Sequence, residues 1–265
     1  MRGIREEKLG IFKIAVRNRL SPEMIKWFLI SVFIYCSIPM YVMFYSIFSY
    51  GIDLFYTQFE EILAYTAIVL YGIQLLLLIP FLIPKLNFKL QKLQAIVFLF
   101  ATFQLCTSWF FMLLIESVYS FYSNSQTIVY VGLLLVGALV KHILATIEIF
   151  KDMENGGFQY ERSFNTISIS TSFRFVIGGL AYIILLLILI FININFDIGA
   201  MVFYVIQTAI LYIFAFLSAE FVLLTYCKFK FPSLNVSWEQ HVKERAEYVG
   251  RAKRLKEQEK REKKD

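Results

Sequence analysis

Six apolar stretches, each long enough to cross a bilayer, constrain this chain more than any other feature. They fall at about 25–47, 61–84, 93–116, 127–149, 173–194 and 199–227. A hydrocarbon core about 30 Å thick needs roughly 20 apolar residues per helix. Lipid offers no partner for backbone N–H and C=O groups, so helices are the expected form. A barrel is disfavoured because the apolar runs are continuous rather than alternating. The expected fold is therefore all-α: a polytopic membrane protein with a bundle of six transmembrane helices. A cytoplasmic amphipathic segment over 1–24 precedes it, and a charged cytoplasmic tail with helical character over 228–265 follows it.

Charge sets the orientation. The chain holds 26 lysines and arginines. All of them lie on one side of the six-span pattern or in the inner half of a span. Residues 1–26 carry Arg2, Arg5, Lys8, Lys13, Arg17, Arg19 and Lys26. The connection after span 2 carries Lys85, Lys89 and Lys92, and the loop after span 4 carries Lys151, Arg162 and Arg174. The segments on the other side, 48–60, 117–126 and 195–198, have none and carry Asp53, Glu60 and Asp197 instead. Cytoplasmic loops retain Lys and Arg, so both ends of the chain are expected in the cytoplasm of a plasma membrane. Anionic lipid on that face accounts for a net charge of +6 without invoking nucleic acid. The bias towards Ile, Phe, Lys, Tyr and Asn is that of an AT-rich bacterial genome, as in low-GC Gram-positive bacteria.

The first apolar stretch is longer than a signal-peptide core and no small-x-small site follows it, so it is expected to remain as an anchor. Cys36 and Cys106 fall within spans and Cys227 falls at the inner boundary. An odd count at these depths argues against a disulfide framework.

Before the first span, Leu9, Phe12, Val16 and Leu20 repeat at helical spacing among basic residues. Such a helix lies either in the inner headgroup layer or against the cytoplasmic ends of the spans. Ser21-Pro22-Glu23 then reads as a helix start: a capping Ser, Pro in the first turn, and an acid near the positive dipole end. Pro39 interrupts the backbone ladder of span 1, and Pro80 and Pro84 close span 2. Beyond Ser237, pairs such as Glu239–Lys243 sit at i, i+4 and support a solvated helix. Its thin apolar stripe of Trp238, Val242, Val249 and Leu255 is a candidate for docking a cytoplasmic partner.

Charge inside a membrane is the first pointer to function. Span 4 carries Lys141, His142 and Glu148. Gly137, Lys141, Ala145 and Glu148 share one helix face, and Gly137 permits close helix approach. Glu220 in span 6 lies near the depth of Glu148, which makes a Lys141 pair with Glu148 or Glu220 geometrically possible. Gln74, Gln104 and Gln207 lie inside spans 2, 3 and 6. These seven residues form the candidate intramembrane polar site: either a transport or proton path, or snorkelling charges plus interhelical hydrogen bonds of about 0.6 kcal/mol each.

Signatures of chemistry are missing. The chain has no P-loop, no H-E-x-x-H and no nucleophile elbow. His142 has only His241 as a companion, so no metal site is expected, and no cofactor is implied. The leading expectation is a non-enzymatic multi-pass protein that works through protein partners or as a homo-oligomer. A membrane component of a secretion or export system, or an immunity protein against a membrane-acting toxin, are the classes in view. The rival is a small transporter or permease subunit with its polar site around Lys141 and His142.

Overall fold

A computed structural model describes residues 6–119, 125–155 and 198–248. Every regular element among them is helical. The helices are α1 (Gly10–Arg17), α2 (Pro22–Tyr50), α3 (Gln58–Leu82), α4 (Pro84–Lys89) and α5 (Gln91–Thr107). They continue with α6 (Phe110–Leu114), α7 (Glu116–Tyr119), α8 (Ser125–Glu154) and α9 (Ile198–Lys230), and α10 covers 238–248. Four stretches are long and apolar enough to cross a membrane: Pro22–Tyr50, Gln58–Leu82, Thr127–Glu154 and Val202–Lys230. Their outward faces carry Ile34, Val69, Leu76, Val136 and Ile206, each more than half exposed. An apolar surface on this scale suits lipid rather than water. The stretch 173–194 lies outside the described residues.

Each boundary has a local cause. The Ser21 hydroxyl accepts the Met24 amide, and Pro22 occupies the first turn of α2. At the other end Gly51 adopts φ +79°, a left-handed conformation that glycine reaches without a Cβ penalty. Thr57 caps α3 by accepting the Glu60 amide at 3.2 Å. Ile83 is extended, as a residue before proline prefers, and Pro84 opens α4.

The third apolar stretch differs from the single continuous helix expected over 93–116. It breaks at Ser108 and Trp109, so α5, α6 and α7 run in series. The freed Cys106 carbonyl accepts the Gln207 side-chain amide at 2.8 Å. A membrane helix tolerates such a break only where protein groups re-satisfy the backbone. The broken segment still runs the height of the bundle. Gln94 of α5 donates to the Pro22 carbonyl at the start of α2, and the Glu116 and Ser117 amides meet Glu60 at the start of α3.

Ring contacts set the direction of the last helices. Tyr130 meets Tyr204 near the starts of α8 and α9, and Phe150 meets Tyr226 near their ends. The two helices therefore run parallel. One end of the bundle gathers Lys26, Lys85, Lys89, Lys92, Lys151, Lys228 and Lys230. At the opposite end, the described residues include Asp53, Glu60, Glu61 and Glu116 and no lysine or arginine.

The α1 stripe is packed against the basic end. Leu9, Phe12, Val16 and Leu20 are all buried in one cluster with Ile25, Phe150, Met153 and Leu234. Burying each large side chain stabilises by about 1.5–3 kcal/mol relative to exposure. Of the two placements open for this helix, contact with the ends of the spans is the one observed.

Candidate functional site

The polar side chains inside the bundle form several groups. At the acidic end, Glu60 is buried and serves two helices. Its carboxylate accepts the Tyr56 amide at 3.0 Å and the Glu116 and Ser117 amides at 2.8 and 3.4 Å. It therefore fixes the start of α7 to the start of α3.

At mid-height a second group gathers around the break after α5. Gln207 donates to Cys106 O and accepts the Tyr35 hydroxyl at 3.2 Å, so both halves of its amide are used. The Cys36 thiol meets Ser108 Oγ at 3.5 Å, and Ser37 and Tyr71 share a bond of 2.8 Å. Gln74 lies buried beside the Cys36 thiol. Gln104 is buried in α5, two positions before the Cys106 carbonyl.

The third group faces a cavity of about 660 Å³ between α3, α5, α8 and α9. His142 Nδ1 lies 2.7 Å from Ser218 Oγ and 3.2 Å from Ala215 O, on the cavity wall. The other wall residues are mostly apolar, including Leu63, Phe103, Leu139 and Leu211. Wall hydroxyls of Thr66, Thr102 and Thr107 turn back onto their own helix carbonyls at 2.7–2.9 Å. Among the described residues the chamber wall suits apolar matter and presents no continuous polar path. Lys141 is not on its wall: its ammonium lies 5.7 Å from the Phe216 ring centroid.

The remaining charges lie towards the basic end. Glu220 pairs with the Arg19 guanidinium, which sits between α1 and α2. Glu148 is half-buried in the last turns of α8. The seven intramembrane candidates are therefore not one site. Gln74, Gln104 and Gln207 belong to the region of the break, His142 faces the cavity, and Lys141, Glu148 and Glu220 occupy the half nearer the basic end.

A fourth group at the basic end contains residues the sequence reading did not single out. Asn87 and Gln94 both donate to the Pro22 carbonyl, at 3.0 and 2.8 Å, and Gln94 also donates to Asn87 Oδ1. Gln91 donates to Phe88 O and Val236 O and accepts from the fully buried Lys228 at 3.2 Å. The node ties the start of α2, the α4–α5 joint and the chain after α9. Only the spacing Asn87, Gln91, Gln94, with its i+3 and i+4 steps, hinted at a shared face.

The tail continues this node. Trp238 packs on Phe88 at 5.3 Å, His241 lies 3.2 Å from the Glu23 carboxylate, and Arg245 lies 3.6 Å from it. Trp238 thus anchors α10 within the chain, while Val242 is 45% exposed. Val249 and Leu255 lie outside the described residues. Nearby, Glu6 accepts from Ser233 at 2.6 Å and Lys13 at 2.9 Å. The Ser233 bond foremost, then Lys13, holds its carboxyl below the usual range. Among the described residues no group of His, Cys, Asp and Glu is placed to hold a metal. Comparison with protein families, curated proteins and solved structures finds no match to this chain.

Proposed function

We propose that this chain is a six-span bacterial plasma-membrane protein, with both termini in the cytoplasm, that acts through protein partners and catalyses no reaction. The observation that carries the reading is the use of Gln207. Its amide is spent on holding a broken helix to α2 and α9, and among the described residues it lines no polar chamber. A path for a polar solute needs Lys141, Gln74, Gln104 and Gln207 to converge on a wet cavity, and the large cavity is apolar. The parallel run of α8 and α9 supports a return crossing over 173–194. The basic end, with α1 and α10 folded onto it, is the face offered to the cytoplasm. A membrane subunit of a secretion system or a toxin-immunity protein fits that design.

Purification of the tagged protein from its native membrane in mild detergent tests this reading. A companion protein at near-equal stoichiometry, lost when 237–265 is deleted and kept in Lys141→Ala, supports it. A protein that purifies alone, and whose uptake of a polar solute into vesicles is abolished by Lys141→Ala or His142→Ala, overturns it.

A further inference from the structure

A second cavity of about 470 Å³ opens at the basic end, between the α4–α5 joint and the end of α9. Its wall carries both polar and apolar residues: Lys89, Lys92, Gln91 and Asn235 with Leu93, Ile96 and Phe229. The Lys92 ammonium lies 5.4 Å from the Phe229 ring centroid. Leu93, Ile96 and Phe229 are between 40% and 51% exposed.

Among the described residues, the charged side chains of this wall are both lysines. Lys89 and Lys92 are exposed, and Lys228 lies fully buried behind Gln91. Among the described residues none of the three lysines forms an ion pair. Lys228 brings three N–H donors and meets only one side-chain acceptor there, Gln91 Oε1. A buried charge without a counter-ion is costly, and a ligand anion against the wall lowers that cost.

We propose that this cavity is a binding site for one anionic phospholipid. The headgroup phosphate is held by Lys89 and Lys92, with Lys228 as the buried charge behind Gln91. The glycerol and the first acyl carbons lie on Leu93, Ile96 and Phe229. The apolar part of the wall is what selects a lipid over free phosphate. The site is independent of the partner reading, and it places its lipid in the cytoplasmic leaflet only if the proposed topology holds.

Native mass spectrometry of the full chain released from detergent tests the site, with dioleoylphosphatidylglycerol, dioleoylphosphatidylcholine and inorganic phosphate as probes. Phosphatidylglycerol is expected to remain bound in preference to phosphatidylcholine. The double variant Lys89→Gln/Lys92→Gln, altered only at exposed positions, is expected to weaken that retention on the order of tenfold. Lys85→Gln, on α4 but off the cavity wall, is the matched control and leaves retention unchanged. Equal retention of the two lipids, or equal loss in the double variant and the control, overturns the proposal. Phosphate binding that needs no lipid and competes with it assigns the site to free phosphate and overturns it too. Detergent carries no sidedness, so an inverted topology would leave these results intact.

Discussion

Glu60 shows how far a single residue can be read from sequence. In the sequence Glu60 reads only as an acid of the segment between the first two spans. Nothing there says that its carboxylate also caps α7, because Glu116 is 56 residues away. Glu60→Ala leaves the Tyr56, Glu116 and Ser117 amides without their acceptor, and is expected to cost about 1–3 kcal/mol. The thermal midpoint in detergent should fall clearly; an unchanged midpoint would mean water replaces the carboxylate. Gly137 was legible as a site of close approach, but its neighbour was not. A methyl group there collides with Tyr212 Oη, the far end of a side chain on α9. The hydroxyl can move and alanine favours the helix, so Gly137→Ala should cost no more than about 1 kcal/mol, and Tyr212→Phe in the same chain should restore most of the loss. A deficit that Tyr212→Phe leaves untouched would place the strain elsewhere in the α8–α9 contact.

At the scale of elements, the apolar pattern predicts helices well and their continuity poorly. The run over 93–116 contains no proline or glycine, so nothing local marks Ser108 and Trp109 as a break. At the break Gln207, from another helix, donates to a backbone acceptor. Gln207→Leu removes that donor and the acceptor of Tyr35, so the cost should be about 1–2 kcal/mol. Faster hydrogen exchange confined to residues 104–112 is the expected signature; exchange unchanged from the parent would show that the break holds itself. For α1 the stripe of Leu9, Phe12, Val16 and Leu20 was plain in the sequence, but periodicity alone does not distinguish a lipid headgroup layer from a protein surface. Glu6, in the turn before α1, adds a titratable tie between Lys13 of α1 and Ser233. Its folded pKa is lowered, so its contribution is complete above the ordinary carboxylate range and fades as pH falls through the lowered value. Acidification should therefore loosen α1 in the parent, measured as cleavage after Arg17 by an acid-tolerant protease. Glu6→Gln should flatten that pH dependence, and a parallel response in both proteins would remove Glu6 from the cause.

For the whole molecule, charge placement and packing come from unrelated features of the sequence and lead to the same arrangement. Lipid requires the spans to be apolar, while insertion sorts the basic residues, so one bundle end is rich in lysine and the other has acids. The described helices keep that division even though the long connection between α8 and α9 is not among them. Partner and substrate were not legible, because they depend on surfaces whose complement lies in another molecule. Topology can be tested now, since the native Cys36, Cys106 and Cys227 are all buried. Gln58→Cys places an exposed thiol at the acidic end; Lys85→Cys and Asn155→Cys place exposed thiols at the basic end. In intact cells a membrane-impermeant maleimide should label Gln58→Cys and leave the other two unlabelled until the membrane is opened. The reverse pattern would invert the molecule and turn its basic face, with α1 and α10, towards the outside. Labelling of Lys85→Cys but not Asn155→Cys would instead mean that the interrupted segment α5–α7 and helix α8 do not both cross. Only the first pattern leaves the lysines of the α4–α5 joint beside the anionic lipid of the inner leaflet.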